Sequence, residues 1–190
     1  MKAVVIGAGI SGVTTAYFLS QNNIDVTLIE SRRYPAMATS YANGGQLSAS
    51  NAEAWNSWYN VKTGLKSFFS NSHSSVIMNP FPSISKLIWL FKFIQNIKYS
   101  DSITYEICKM AVDSIKFYDE IANSEKLDFN KLDKGIIHLY MNKKHTENAK
   151  YINTIYRKAG LKRHRITHEE LYSLEPSLRH KKFDSIFYTP

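Results

Sequence analysis

Ala3 to Ile6 form an unbroken apolar run that ends on a glycine, the pattern of a strand buried on both faces at the centre of a parallel sheet. From Ser11 to Ser20 the apolar positions Val13, Ala16, Tyr17 and Leu19 recur at near-helical spacing, and Asn22 and Asn23 end that helix. Ile24, Val26 and Leu28 then alternate with Asp25 and Thr27 before Ile29 and Glu30, which predicts a second parallel strand. The chain therefore opens as strand, turn, helix, strand.

Further along, Pro80 to Tyr99 is dense in Ile, Leu, Trp and Phe but interrupted by Lys86, Lys92 and Lys98. It is too short and too charged to span a bilayer, which takes about 20 mostly apolar residues. Its pattern fits a helix packed inside a domain, and it also fits an interfacial helix with lysines at the rim, with packing the preferred reading. Asp101 to Asn123 carries Ile103, Ile107, Met110, Ala111, Ser114, Phe117, Tyr118 and Ile121 at steps of three and four, the stripe of a long amphipathic helix. Ile136, His138 and Tyr140 alternate with Ile137, Leu139 and Met141 in a strand, where a single His is more often structural than functional. Thr146 is placed to cap a helix carrying Ala149, Ile152, Ile155 and Tyr156, with Gly160 as its stop. A short helix follows from Thr167, paired with Glu170 in a capping box, and FDSIFYTP reads as a further strand.

The turn between the first strand and helix holds Gly7, Gly9 and Gly12 in G-x-G-x-x-G spacing. One glycine allows the tight reversal, one lets a pyrophosphate approach the backbone, and one lets helix and strand pack closely. Amides at the helix start then face an anion. Glu30 lies eighteen residues beyond Gly12, close to the spacing of about 20 at which an acid accepts the ribose hydroxyls of an adenine dinucleotide. A carboxylate there repels the 2′-phosphate of NADP. The competing reading is a Gly-rich turn in some other α/β unit, and the fingerprint alone does not separate FAD from NAD.

The stretch after Glu30, SRRYPAMATSYANGGQLSAS, has no helical or strand period. Arg32 and Arg33 are placed to lie along adenine or phosphates, and Thr39 and Ser40 offer hydroxyls to an anion. Ala42, Gly44 and Gly45 let a flat ring lie against backbone, while Asn43 and Gln46 can bond its polar edge. A plain surface loop is the alternative.

With the glycine hinge ending at Glu30, the block ATSYANGGQLS resembles the D-amino-acid dehydrogenase family, FAD-dependent relatives of the D-amino-acid, glycine and sarcosine oxidases. Ser40, Ala42, Asn43, Gly44, Gly45 and Gln46 match its Ser-x-Ala-Asn-(Ala/Gly)-Gly-Gln run. Looser matches follow in order: ISKLIWLFKFIQN, GIIHLYM and SLEPSL. The resemblance implies an α/β fold with a Rossmann-like FAD-binding domain and an α+β substrate domain, divided here as residues 1–55 and 56–190. It implies FAD as cofactor, held by Val4, Val5, Ile6, Gly7, Ala8, Gly9, Ile10, Ser11, Gly12, Glu30, Ser31, Arg32, Thr39, Ser40, Asn43, Gly44, Gly45 and Gln46. It further implies oxidation of a D-amino acid to a 2-oxo acid, with electrons passed to a quinone-type acceptor. Glycine or sarcosine oxidase chemistry is the nearest alternative within flavoenzymes. The family's chains are longer, so the expectation is a truncated chain whose catalytic residues lie elsewhere and which is inactive alone, or the product of a decayed or split gene retaining weak FAD or ADP binding.

The composition adds limits. The 190 residues suffice for one large domain or two small ones, and 44% are hydrophobic. The fingerprint begins at Lys2, so a cleaved leader is not expected, and Cys108 is the sole cysteine, which excludes an internal disulfide and suits a helix face in a reducing cytoplasm. The net charge of +8 invites an anionic partner, yet no nucleic-acid-reading motif accompanies it, so nucleic acid is not expected. The basic residues scatter, apart from Lys162, Arg163, His164 and Arg165 and the cluster His180, Lys181 and Lys182. His164 and His168 have metal-pair spacing, but Thr167 starts a helix between them, so no metal site is expected. The expected location is cytoplasmic, with the aromatic helix allowing peripheral contact at the inner face of a membrane.

Overall fold

The computed structural model describes residues 1–67, 81 and 83–190. β1 (Lys2–Ile6) and β2 (Asp25–Ile29) pair in parallel, Lys2 opposite Asp25 and Ile6 opposite Ile29, with α1 (Ile10–Gln21) as the crossover. Parallel neighbours need such a crossover, and the Asn pair supplies its sharp end. Asn23 adopts φ +57° while its amide bonds Ser20 O and the Ile24 amide bonds Leu19 O, closing a left-handed cap.

These elements belong to a compact unit, Met1–Leu47, separate from a second, Ser48–Pro190. Within the first unit the expectation that β1 is buried on both faces does not hold. Val4 is 61% and Ile6 84% exposed, whereas Ala3 and Val5 are partly covered. The reason is that β2 is the only strand paired with β1 among the described residues, and α1 covers one face. Ala8 alone is fully buried in this unit.

The second unit begins with a 3₁₀ turn at Ala49–Asn51 and continues into α2 (Trp58–Ser67), α3 (Ile84–Gln95) and α4 (Ser100–Ser124). Pro80, where the sequence reading starts its aromatic helix, lies outside the described residues. Ser83 caps α3 by accepting from the Lys86 amide, and Trp55 packs against Trp89 at a tilt and against Phe93 edge to face. The preferred reading of α3 as a packed core helix is corrected: none of its residues is buried, and Ile84, Leu87, Ile88 and Phe91 present one exposed apolar face. Among the described residues, Trp55 meets the Trp89 and Phe93 side of α3 and not the side of Leu87 and Phe91.

The stripe on α4 also shifts. Thr104 and Cys108 are its buried residues, with Ala111, Val112 and Ile115 packed beside them, while Ile107, Met110 and Phe117 are exposed. The face follows the small residues because α5 (Lys143–Lys158) packs there, contributing Ile152, Ile155 and Tyr156 to the same cluster. Burial without a partner raises the Cys108 thiol pKa and keeps it protonated.

Three antiparallel strands complete the unit in the order β3 (Ile136–Tyr140), β5 (Ser185–Thr189), β4 (His164–Ile166). FDSIFYTP thus forms the central strand. Ile186 and Phe183 join Ile166 and Leu171 of α6 (His168–Leu174) in a second cluster. The Thr167 capping box forms with both reciprocal bonds. The expected cap of α5 is corrected from Thr146 to Asn142, whose side chain accepts from the His145 amide. Thr146 is buried instead and bonds Asp184 and Ser185, a choice made by tertiary partners that sequence-local rules do not see. Gly160 ends α5 at φ +89°, with the Leu161 amide on Tyr156 O and its own on Arg157 O.

α4 ends by the same geometry but with Lys126 at φ +52° where glycine is preferred. Relief of that left-handed strain makes Lys126→Gly stabilising by about 0.5–1 kcal/mol. A rise in the urea midpoint at unchanged slope is the expected outcome; a fall would show that the lysine stabilises the cap.

Candidate functional site

Gly7 takes φ +94°, which turns the chain from β1 toward α1. Gly12 sits so close to that turn that a Cβ on it would lie 1.7 Å from the Gly7 carbonyl oxygen. Here helix and strand touch backbone to backbone, as the third glycine of the fingerprint requires. A Cβ on Gly9 would meet nothing closer than Ser40 Oγ at 3.4 Å, so protein packing leaves its surroundings open.

Glu30 leaves the end of β2 and folds back on the turn. Its Oε2 accepts from the Ala8 amide at 2.7 Å, and its Oε1 accepts from the Arg32 amide at 3.0 Å and the Ser31 hydroxyl at 3.3 Å. The Ala8 bond, then the Arg32 bond, hold its carboxyl below the usual value of 4.5. The acid and the glycine turn, eighteen residues apart in the chain, are joined directly. Oε1 is taken up by its two donors, and Oε2, with one, keeps a lone pair for a ribose hydroxyl.

The loop after Glu30 is fastened to the same point, since the Ala36 amide donates to Ala8 O at 2.8 Å. It carries Ser40 to the mouth of α1, where its Oγ accepts from the Ile10 amide at 3.0 Å. Gly9, the residue preceding α1, offers no side-chain cap, so Ser40 serves from a distance of thirty residues. The Ser11 and Gly12 amides follow in the first turn, aligned with the helix axis toward an incoming anion. The Ser40 proton is still free to be donated to such an anion.

The rest of the expected set is gathered less tightly. Asn43 Oδ1 accepts from the Gly45 amide at 2.8 Å, an Asx turn with Gly45 at φ +59°, and Asn43 Nδ2 reaches Thr39 O at 3.5 Å. Gly44 and Gly45 have open space where a Cβ would stand, and Gln46 is exposed. Arg33 lies over the Tyr34 ring at 5.2 Å, and only the backbone of Arg32 engages Glu30. The Val4, Val5 and Ile6 backbone leads into the turn through β1.

A second concentration of polar groups lies inside the unit Ser48–Pro190. His138 on β3 bonds Ser50 Oγ at 2.8 Å, and Ser50 in turn bonds Ser48 at 3.0 Å. Burial, aided by the Arg163 charge, lowers the His138 pKa to about 4 and keeps the imidazole neutral. Arg163 is 4% exposed, donates from Nη2 to the Tyr140 hydroxyl at 2.6 Å, and lies over the rings of Phe187, Tyr156 and Tyr140 at 4.9, 5.5 and 5.9 Å. Burial, with the nearby Glu53, pushes Tyr156 up to about 12. Sequence reading noted Arg163 only as part of a charged run; no local signal marks a buried cation, because its cage comes from β3, α5 and β5.

The family model described as FAD dependent oxidoreductase matches residues 2–190. The D-amino acid dehydrogenase 3 of Mesorhizobium japonicum is 46% identical over 189 residues, a match covering 100% of this chain and 45% of that protein. A D-amino acid dehydrogenase of Neisseria meningitidis serogroup C is 28% identical over 180 residues, 94% of this chain and 43% of its own length. The chain thus spans less than half the length of these relatives. The crystal structure of L-proline dehydrogenase from P. horikoshii superposes at a TM-score of 0.58 with 19% identity, covering 98% of this chain and 36% of that one, a likeness of fold.

Because the folded-state pKa of Glu30 is lowered, its hold on Ala8 and Arg32 is complete above the ordinary value of 4.5 and lost as pH falls through the lower folded value. The Ala8 and Arg32 amide resonances are expected to titrate together with a midpoint below 4.5. Separate midpoints, or one at the ordinary value, would show that the carboxylate does not clamp the turn.

Proposed function

The chain belongs to the family of FAD dependent oxidoreductases, and on that premise we propose that Met1–Leu47 holds the adenosine and pyrophosphate end of an FAD site serving oxidation of D-amino acids. The observation that carries the reading is the closure of Glu30 onto Ala8, which sets a ribose-binding acid beside an anion-binding helix start. The glycine turn fits the group as well: Gly9 puts no side chain at the helix mouth, and the place of its missing Cβ meets nothing closer than Ser40 Oγ at 3.4 Å.

In this reading the Gly9, Ser11 and Gly12 amides would meet the pyrophosphate, with Gly7, Ala8 and Ile10 shaping the turn around it through their bonds to Ile29, Glu30 and Ser40, and Ser40 donating its hydroxyl proton. Glu30 and Ser31 would take the ribose, and Arg32 the adenine side. Thr39, Asn43, Gly44, Gly45 and Gln46 would line the path toward the ring. The chemistry that FAD supplies when bound is acceptance of a hydride from the substrate α-carbon, leaving an imino acid that water converts to a 2-oxo acid and ammonia. The names of the Mesorhizobium and Neisseria relatives support a D-amino acid as substrate, and a quinone-type acceptor is the electron sink we assign.

The chain alone is expected to bind ADP saturably, to lose that binding in Gly12→Val, and to give no dye reduction with D-alanine. Calorimetry with ADP and a dye assay test the two claims separately. Absence of ADP binding overturns the cofactor site; dye reduction by the 190-residue chain overturns the inactivity.

We also propose peripheral contact of α3 with a bilayer interface. Its exposed Ile84, Leu87, Ile88 and Phe91 lie on one face, with Lys92 in the last turn to meet acidic headgroups. Among the described residues no helix is long and apolar enough to cross a membrane. Leu87→Glu/Phe91→Glu is expected to lower co-sedimentation with vesicles containing phosphatidylglycerol at least tenfold, since each buried apolar side chain contributes about 1.5–3 kcal/mol. Unchanged co-sedimentation removes α3 as the contact.

A further inference from the structure

Residues 41–47, the part of the loop that the FAD reading lays toward the ring, are all exposed, and among the described residues their hydrogen bonds reach no further than four positions along the chain. Beyond its Asx turn such a loop has little shape of its own, so the fastening of its ends decides it. The front end is Ser40, bonded to the Ile10 amide. The back end is Ser48, the first residue of the second unit.

From Ser48 the chain runs as a strap to Asn56, irregular beyond its 3₁₀ turn, with Ala49, Ser50, Ala52, Ala54 and Asn56 buried and Asn51, Glu53 and Trp55 exposed between them. Three long-range bonds pin it within its own unit: Ser50 Oγ to His138 Nε2 of β3 at 2.8 Å, the Ala54 amide to Thr104 Oγ1 of α4 at 3.0 Å, and Asn56 Nδ2 to the Asn96 carbonyl at the end of α3 at 2.7 Å. Small side chains at Ala49 and Ala52 let the strap lie on the cluster of Cys108 and Tyr156. The His138 bond is the pin nearest the loop, and Ser48 Oγ joins it through Ser50 at 3.0 Å. A buried imidazole and hydroxyl that satisfy each other can be purely structural. This pair stands apart by its place, four residues beyond Gln46, and by the fixing of its ring. His138 stands opposite Phe187 in the sheet, and burial with the Arg163 charge keeps it neutral, so that Nε2 bonds a hydroxyl in either tautomer.

We propose that His138 is a positioning residue for the cofactor: through Ser50 and Ser48 it fixes the back end of the loop, and so sets how much order residues 41–47 must gain when a flavin ring lies on them. This role rests on the FAD reading for the identity of the ligand. Chain loosened at that end has to be ordered again on binding, which weakens the flavin contacts and leaves the ADP end, held by the glycine turn and Glu30, as it was.

Calorimetry with FAD and with ADP on the 190-residue chain, together with the rate of chymotrypsin cleavage after Leu47, tests the role. His138→Leu and Ser50→Ala should each weaken FAD about tenfold, the size of one lost hydrogen bond, with ADP bound as by the parent and cleavage about tenfold faster. His138→Gln, whose amide can bond Ser50 in place of the imidazole, should stay within about twofold of the parent in every readout. Thr104→Val, which unpins the strap further from the loop, should lower the urea midpoint and leave the ratio of FAD to ADP affinity unchanged. Circular dichroism checks that the variants keep their fold. Equal losses for FAD and ADP in His138→Leu, unchanged FAD affinity in that variant, or no restoration by the glutamine overturns the proposal. A parent chain that binds neither nucleotide overturns the FAD reading instead, and the cleavage rates then still decide whether His138 fixes the loop.

Discussion

The bond from the Ala8 amide to the Glu30 carboxylate carries the β1–β2 pairing past its last backbone bond, Gly7 to Ile29 O, and fastens the glycine turn to the acid. Ala8 is the single fully buried residue of this unit, and both its backbone groups are spent on long-range partners, Glu30 through the amide and Ala36 through the carbonyl. Unmet, each would cost about 1–3 kcal/mol, a large share of what so small an apolar core can offset. A side chain that helps hold the turn is thus also the one best placed to read a ribose. The loop bearing Ser40 is indexed from the same alanine, so the helix start, the acid and the hydroxyl share one origin.

The larger unit solves its polar problem differently. Its buried cation has no carboxylate partner among the described residues and relies on aromatic faces and a phenol, each individually weaker than an ion pair. The same charge helps keep His138 neutral against Ser50. The Arg163 charge therefore reaches beyond its aromatic cage to His138 on β3.

Features set by neighbours in sequence were legible in advance: the glycine hinge, the Asn22 and Asn23 stop, the Thr167 capping box and the Gly160 terminator. Each is closed by bonds spanning only a few residues, apart from the Gly7 and Gly12 contact, whose spacing is itself the signal. What failed depended on partners. The apolar run Ala3–Ile6 states what a strand could bury, not that a second layer is there to bury it. The α4 stripe missed because the buried face follows Cys108 and Ala111, small residues that admit α5, over larger ones such as Met110. Thr146 was drawn from the cap by Asp184 and Ser185, some forty positions away. At the candidate site, residue types and order were readable, but the turn of Glu30 onto Ala8 and the use of Ser40 as a remote cap were matters of three-dimensional closure.

The open edge of β1 has a colloidal consequence. A strand whose outward amides and carbonyls meet no neighbouring strand among the described residues, with Val4 and Ile6 largely uncovered, is a template for pairing between molecules. A net charge of +8 opposes that approach by mutual repulsion, which acts over a Debye length of about 10 Å at 0.1 M salt and about 3 Å at 1 M. Salt thus becomes a control on self-association: dilute buffer keeps the molecules apart, and concentrated salt brings the bare strands within pairing distance.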